Sequence, residues 1–227
     1  MSMNTLAIRQ TVVDLCIELS NRGHFSGTGG NIAMRIDAQH IAVTPSATDY
    51  LTMTAVDVCV LRLADLAQVE GERVPSVETG LHARVLRARL DAQCSIHTHQ
   101  PLASACALLG RELEVMPQAL TRSLGRTVPV VGYAPSGSAW LSSKLARALR
   151  ADTNAYLMFN HGALCCGVSA GAAMLAVEDL ETLARRHLMR LIAARAAQEP
   201  SMHKLLQRIA LTLADGPSPE LQTPDTP

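Results

Sequence analysis

The chain reads as one α/β domain. Three observations predict this. Segments of strand character and segments of helical character alternate, with short connections, from residue 4 to residue 197. Apolar residues make up 48% of the chain and charged residues 18%, a balance that buries a core and argues against disorder. The 227 residues show no internal repeat and suit one sizeable core. Aromatic residues are only 3%, so that core has to be built from Leu, Val, Ile, Ala and Met.

The elements follow in order. Asn4 to Arg22 is a helix, because Leu6, Val12, Val13, Leu15, Cys16 and Leu19 form a helical stripe. Ser26 to Asn31 is a glycine-rich segment. Ile32 to Ile36 and His40 to Thr44 are short strands joined by a tight polar turn, and Thr44-Pro45-Ser46-Ala47 is a loop. Val58 to Leu63 is a strand. Val77 to Leu90 is a helix, with Ser76 as its N-cap after Pro75. Cys94 to His99 is a strand ended by Pro101, and Ala103 to Leu109 is helical. Val128 to Gly132 is a strand, Ser138 to Arg150 a helix, Ala155 to Phe159 a strand, and Gly171 to Ala197 a long Ala/Leu-rich helix. The Pro-rich tail, residues 215–227, is expected to be disordered or loosely docked.

Charge and cysteine usage exclude several functions. Lys plus Arg and Asp plus Glu are both 20, so the chain has no electrostatic footprint for nucleic acid. Its apolar stretches fall far short of a membrane span, and Met1 to Ala7 is not the start of a secretory signal. Cys16, Cys59, Cys94, Cys106, Cys165 and Cys166 contain no CxxC, and read as reduced, mostly buried thiols of a cytoplasmic protein. The adjacent Cys165 and Cys166 read as core residues, not as a redox pair.

His97-Thr98-His99 is the sharpest chemical signal. On a strand, residues two apart point to one face, about 6 to 7 Å from each other, so both imidazoles can converge on one ion. His161, in Asn160-His161-Gly162 just past a strand, is the natural third nitrogen ligand. Glu78, in the first turn after Pro75, would complete a four-coordinate site and could double as a base. Three His and a carboxylate suit zinc, with one position exchangeable for substrate. His24, His40, His82, His187 and His203 have bland readings as helix-face, turn or surface residues. Gly27-Thr28-Gly29-Gly30-Asn31 is either an anion-binding nest or a plain turn. It is not a P-loop, because no GK[ST] follows. It is not a dinucleotide fingerprint, because it precedes a strand instead of following one. Ser136-Gly137-Ser138 reads as a helix N-cap rather than a nucleophile.

Taken in order, Gly27-Thr28-Gly29-Gly30-Asn31, Thr44-Pro45-Ser46, Pro75-Ser76-Val77-Glu78, His97-Thr98-His99 and His161-Gly162 resemble the class II aldolase/adducin family, over about residues 4 to 195. The resemblance implies a mainly antiparallel central sheet flanked by helices, in one domain over residues 1–214. It implies a C4 homotetramer with active sites between subunits, acting on a small sugar-like substrate. It matches His97, His99 and His161 to the ligands of Zn²⁺ (Mn²⁺ or Co²⁺ being alternatives). It matches Glu78 to the carboxylate that ligates the resting metal and then moves a proton. Thr28, Gly30, Asn31, Ser46, Ala47 and Ser76 match positions around the substrate phosphate. The implied activity is retro-aldol cleavage of a sugar phosphate or polyhydroxy keto compound through a metal-stabilised enediolate.

Three departures from the family pattern open other readings. Ala47 stands where the aldolases usually have Gly, and Val77 where they have a second Ser, which removes a hydroxyl from the phosphate pocket. A charged oxygen left without a donor costs on the order of 1–3 kcal/mol. Gln118 stands where a neighbouring subunit's tyrosine would donate a proton, and an amide cannot do that work. A decarboxylase of a 3-oxo sugar acid needs no such donor, since carbon dioxide leaves neutral; Gln118 or Arg122 could then bind a carboxylate. Glu78, where epimerases of the family have Asp, argues against epimerisation. A non-catalytic adducin-like module is disfavoured by the retained His97, His99, His161 and Glu78.

Overall fold

The computed structural model describes residues 3–25, 27 and 29–214. The chain packs as two compact units, Met1–Leu183 and Ala184–Pro227. The first opens with α1 (Met3–Asn21), followed by β1 (Asn31–Arg35), β2 (His40–Val43), β3 (Cys59–Arg62), β4 (Gln68–Glu70), α2 (Thr79–Ala88) and β5 (Cys94–Thr98). It continues with α3 (Pro101–Leu108), β6 (Leu113–Glu114), a 3₁₀ turn Gln118–Leu120, α4 (Thr121–Leu124), β7 (Thr127–Val128), β8 (Val130–Val131), α5 (Ala139–Ala148), β9 (Ala155–Met158) and β10 (Gly162–Gly167). The helix α6 (Ala170–Gln198) starts in this unit and ends in the second, which adds a 3₁₀ turn Pro200–Met202 and α7 (His203–Ala214). Within the second unit, Arg185 Nη1 donates to the carbonyl of Leu213.

The central sheet has eight strands in the order β4-β3-β2-β1-β5-β10-β9-β8. Every neighbouring pair is antiparallel except β8 with β9. Helices flank it: α2 and α5 pack on each other and on the sheet, α1 lies against β1 and β2, and α3 against β9 and β10. The core under α2 and α5 joins Leu81, Val85 and Leu86 of α2 and Leu141 and Leu145 of α5 to Ala33, Ile41, Leu61, Tyr156 and Leu164 of the sheet. Register then decides what shares this face. Ala33 pairs with Ser95 and Asn31 with His97, so the period of two carries Asn31, Ser95 and His97 onto the side covered by α2. All six cysteines are buried and unbridged, and burial pushes the Cys166 thiol up to about 11.

Four details differ from the sequence expectation, each for a local reason. The strand expected at Val128–Gly132 is divided at Pro129, which has no N–H to donate: β7 pairs with β6, and β8 with β9. The helix expected from Val77 begins at Thr79, because Ser76 Oγ accepts the Glu78 N–H at 3.2 Å and holds residues 76–78 as a turn. Pro101 starts α3 instead of only ending a strand, since the first helical position needs no N–H. Leu6 of the α1 stripe is exposed, while Val12, Val13, Leu15, Cys16 and Leu19 are buried. The strands β4 and β6 and the helix α7 lie outside the expected set; β4 and β6 are two or three residues long and lack usable alternation. The tail expected to be disordered or loosely docked, residues 215–227, lies outside the described residues. No described helix is long and apolar enough to cross a membrane.

Candidate metal centre

The site grows from the end of β5. His97 is fully buried, and its Nδ1 lies 2.7 Å from the carbonyl oxygen of Ala163 on β10. A carbonyl only accepts, so Nδ1 carries a proton and Nε2 is the nitrogen that can face a ligand. Nε2 lies 3.0 Å from His99 Nε2. The third imidazole comes from the β9–β10 hairpin. There Asn160 takes a left-handed conformation (φ +53°), and the His161 N–H closes the turn on Met158 O at 3.1 Å. Gly162 is needed for a different reason: a Cβ there would lie 2.3 Å from the carbonyl oxygen of Thr98. Donor atoms of His97, His99 and His161 lie within 4.8 Å of one another.

Glu78 sits among them, ahead of the first residue of α2. Its Oε1 accepts from Ser136 Oγ at 2.8 Å and lies 3.1 Å from His161 Nε2. Its Oε2 accepts from Asn31 Nδ2 at 3.0 Å and lies 3.2 Å from His97 Nε2. Burial pushes this carboxyl up, but the His161 and His97 contacts, then Asn31, outweigh it and hold the group well below the usual carboxylate range. Glu78 is therefore ionised. Burial first, then the neighbouring His97 and His161, hold His99 down at about 4.

This set fits a divalent ion. His97 Nε2 faces a carboxylate oxygen at 3.2 Å and a second imidazole nitrogen at 3.0 Å, so nitrogen and oxygen donors converge on one point. Three nitrogens and one oxygen match the donor set of zinc, whose bonds of about 2.0–2.1 Å place tetrahedral ligand atoms roughly 3.3–3.5 Å apart.

Comparison with known proteins places the chain. The family model for the class II aldolase and adducin N-terminal domain matches residues 10–188. The chain belongs to this family. An L-fuculose phosphate aldolase of Escherichia coli is 27% identical over 188 residues, 83% of this chain and 85% of that protein. A 5-deoxy-D-ribulose 1-phosphate aldolase of Bacillus thuringiensis is 32% identical over 178 residues, 78% of this chain and 82% of the relative. A solved structure of L-fuculose 1-phosphate aldolase superposes with a TM-score of 0.75 at 25% identity, over 94% of this chain and 98% of the other. As a class II aldolase/adducin protein with this histidine cluster, the chain is an enzyme, a metal-dependent lyase.

Within this class II aldolase/adducin site, the structure brings Asn31, Glu78, His97, His99 and His161 together. Ser76 is buried beneath Glu78 and accepts its N–H. The Ser46 and Ser76 segments run side by side, with Ser46 N donating to Val74 O at 2.8 Å and Ser76 N to Thr44 O at 3.0 Å. Ala47 is exposed in a left-handed conformation (φ +49°). Gly30 (φ +92°) has no room for a side chain, since a Cβ would meet the Phe25 ring at 2.3 Å. Thr28 lies outside the described residues. Gln118 and Arg122 are exposed on the 3₁₀ turn and α4, and neither bonds to the cluster within this chain.

Three polar residues at the site go beyond the sequence expectation. His82, read as a bland helix residue, is fully buried, with Nε2 2.7 Å from Asn31 Oδ1 and Nδ1 2.8 Å from Ser95 Oγ. Ser95 and His82 carried a signal: Ser95 precedes His97 by two on a strand, and His82 follows Glu78 by four, a helical spacing. Ser136 carried none; Ser138 is the N-cap of α5, accepting from Leu141 N, while Ser136 reaches Glu78.

Proposed function

We propose that this enzyme cleaves a carbon–carbon bond of a small sugar phosphate or polyhydroxy ketone by a retro-aldol reaction. His97, His99 and His161, with Glu78 in the resting state, hold a divalent ion, zinc by preference, with manganese or cobalt as alternatives. Bound there, the ion acts as a Lewis acid on the substrate's carbonyl and hydroxyl oxygens and offsets the charge that develops as the bond breaks. The observation that carries the reading is a buried carboxylate within 3.2 Å of two imidazole nitrogens of a three-histidine cluster. The sugar-phosphate aldolases among its relatives support the reaction class.

The chain's own residues divide the work. Ala163 O fixes the His97 tautomer and so keeps Nε2 free to ligate. Glu78, ionised in the resting site, moves a proton to and from the substrate once displaced. Asn31 and Ser136 hold it until then. By the family resemblance, the phosphate would be held by Gly30, Asn31, Ser46, Ala47 and Ser76, together with Thr28, which lies outside the described residues. Of these, Ser46 is half-buried, and its hydroxyl has no partner among the described residues. The active assembly is proposed to be a cytoplasmic C4 homotetramer, in which Gln118 and Arg122 reach a neighbour's site.

The test is proton NMR on zinc-saturated protein with dihydroxyacetone phosphate in deuterium oxide and no aldehyde. Exchange of a carbon-bound hydrogen is expected. Glu78→Gln should retain zinc and lose exchange by about 100-fold or more, since general acid–base catalysis contributes on that scale; unchanged exchange in that variant would remove Glu78 from the role. A second reading rests on Val77, whose apolar side chain is exposed where a hydroxyl would serve phosphate. If zinc is bound but wild type gives no exchange, the reading moves to a decarboxylase of a 3-oxo acid or to a non-phosphorylated substrate, and keto acids become the compounds to screen.

A further inference from the structure

We propose that His82 is a positioning residue for Glu78, acting through the side-chain amide of Asn31. The argument starts from the carboxylate. Asn31 presents its N–H₂ edge to Glu78 Oε2 across a 3.0 Å contact. The amide oxygen then points the other way, at His82 Nε2, 2.7 Å distant. That nitrogen must donate, which leaves Nδ1 as the acceptor for Ser95 Oγ at 2.8 Å. Every donor in the line from Ser95 through His82 and Asn31 points toward Glu78. His82 is wholly buried, and its two ring nitrogens bond to Ser95 and Asn31, neither of them a proposed ligand.

Among the described residues, His82 is the partner on the far side of Asn31 that tells one edge of its amide from the other. A flipped amide would put a carbonyl oxygen against the carboxylate and displace Glu78 from its place between His97 and His161. The inference rests on the reading of Glu78 as the proton carrier, but the coupling of His82 to Asn31 does not.

The experiment compares wild type with His82→Leu, His82→Gln, Asn31→Ala and the double variant His82→Leu/Asn31→Ala. Three quantities are read: zinc content, turnover and KM for deuterium exchange into dihydroxyacetone phosphate, and the NMR signals of the Asn31 side-chain amide in zinc-free protein. His82→Leu is expected to bind zinc in full and to lose turnover by about 10- to 100-fold, the usual cost of removing an outer partner of a site residue. Its KM should move less than roughly threefold. His82→Gln, whose amide N–H₂ can reach Asn31 Oδ1, should recover most of the loss. In the Asn31→Ala background, His82→Leu should do no further harm, because a residue that acts through Asn31 has nothing left to act on. The Asn31 amide protons should be protected from solvent exchange in wild type and His82→Gln, and unprotected in His82→Leu.

Wild-type turnover in His82→Leu, additive losses in the double variant, or unchanged Asn31 protection would overturn the proposal. If His82→Leu does not fold, Ser95→Ala takes its place, with a smaller loss of both turnover and Asn31 protection expected and no change overturning. If wild type itself exchanges nothing, the functional reading fails separately, and Asn31 protection alone decides the coupling.

Discussion

Helix α2 is bounded by two buried charges, and they are held in opposite ways. At its C-terminal end Arg89 is closed within the chain. Nε and Nη2 grip Asp91 at 2.9 and 2.7 Å, Nη1 donates to Thr153 O at 2.7 Å and Arg150 O at 3.3 Å, and Nη2 also reaches Asn154 Oδ1 at 3.0 Å. Five N–H groups meet five acceptors. At the N-terminal end the Glu78 carboxylate has four neighbours, Asn31, Ser136, His97 and His161, and two of them are imidazole nitrogens of the three-histidine cluster. The signs suit the helix dipole at both ends. What differs is the company: the Arg89 end satisfies itself, whereas the Glu78 end shares its carboxylate with a histidine cluster able to hold a metal ion. A saturated buried charge is a structural knot; one that also faces ligand nitrogens is a site.

The largest expected effect breaks the open end. His97→Ala should abolish stoichiometric zinc and deuterium exchange together, as should His161→Ala, measured by elemental analysis of the purified variants; normal zinc in both would mean that the ligands lie elsewhere. Next is the closed end. Arg89→Met should destabilise the fold by about 2–4 kcal/mol in urea denaturation, through the carbonyls and amide left unpaired, while zinc content stays at the wild-type level. Loss of zinc in that variant would show that the two ends are not independent.

A pH series separates them further. Burial first, then the charge of His97, hold His82 at about 3 against its ordinary 6.5. The unfolded chain takes up this proton near 6.5 and the folded chain only near 3. Stability should therefore fall as pH drops through that window, by at most about 1.4 kcal/mol per unit from this group. Asp91, held below its ordinary range by Arg89, titrates lower. Urea midpoints of zinc-free wild type and His82→Gln at two pH values inside the window should show a shallower slope in the variant, and equal slopes would refute the assignment. The smallest effect concerns Ala47, whose left-handed backbone costs a non-glycine residue about 1–2 kcal/mol. Ala47→Gly should raise the melting temperature by an amount worth up to about 1 kcal/mol, once the added flexibility of the unfolded chain is counted. A drop instead would mean that the Ala47 methyl makes a stabilising contact.

Much of this was legible along the chain because the relevant spacings are local. His97 and His99 share a strand face by the period of two, and Glu78 follows Pro75 at the mouth of a helix. The same periodicities reached Ser95 and His82, but nothing along the chain says that a buried histidine on α2 will meet a strand asparagine 51 residues away. Ser136 illustrates the limit, since its tie to Glu78 spans 58 residues and comes from a loop whose sequence reads as a helix cap. Likewise Pro129 announces a break in a strand, but not that the halves join different sheets.

By itself the sequence determined the alternation of helices and strands, the apolar faces that bury them, and the residue types able to hold a divalent ion. These follow from side-chain chemistry and short-range backbone geometry. Only the tertiary structure decided that Asn31 stands opposite His97, that Ala163 sets the tautomer of that ring, and that Ser95, His82 and Asn31 form one line to Glu78. The physical reason is that cross-strand register and helix docking are set by burial summed over the whole sheet, so which polar groups meet across it depends on every core residue at once.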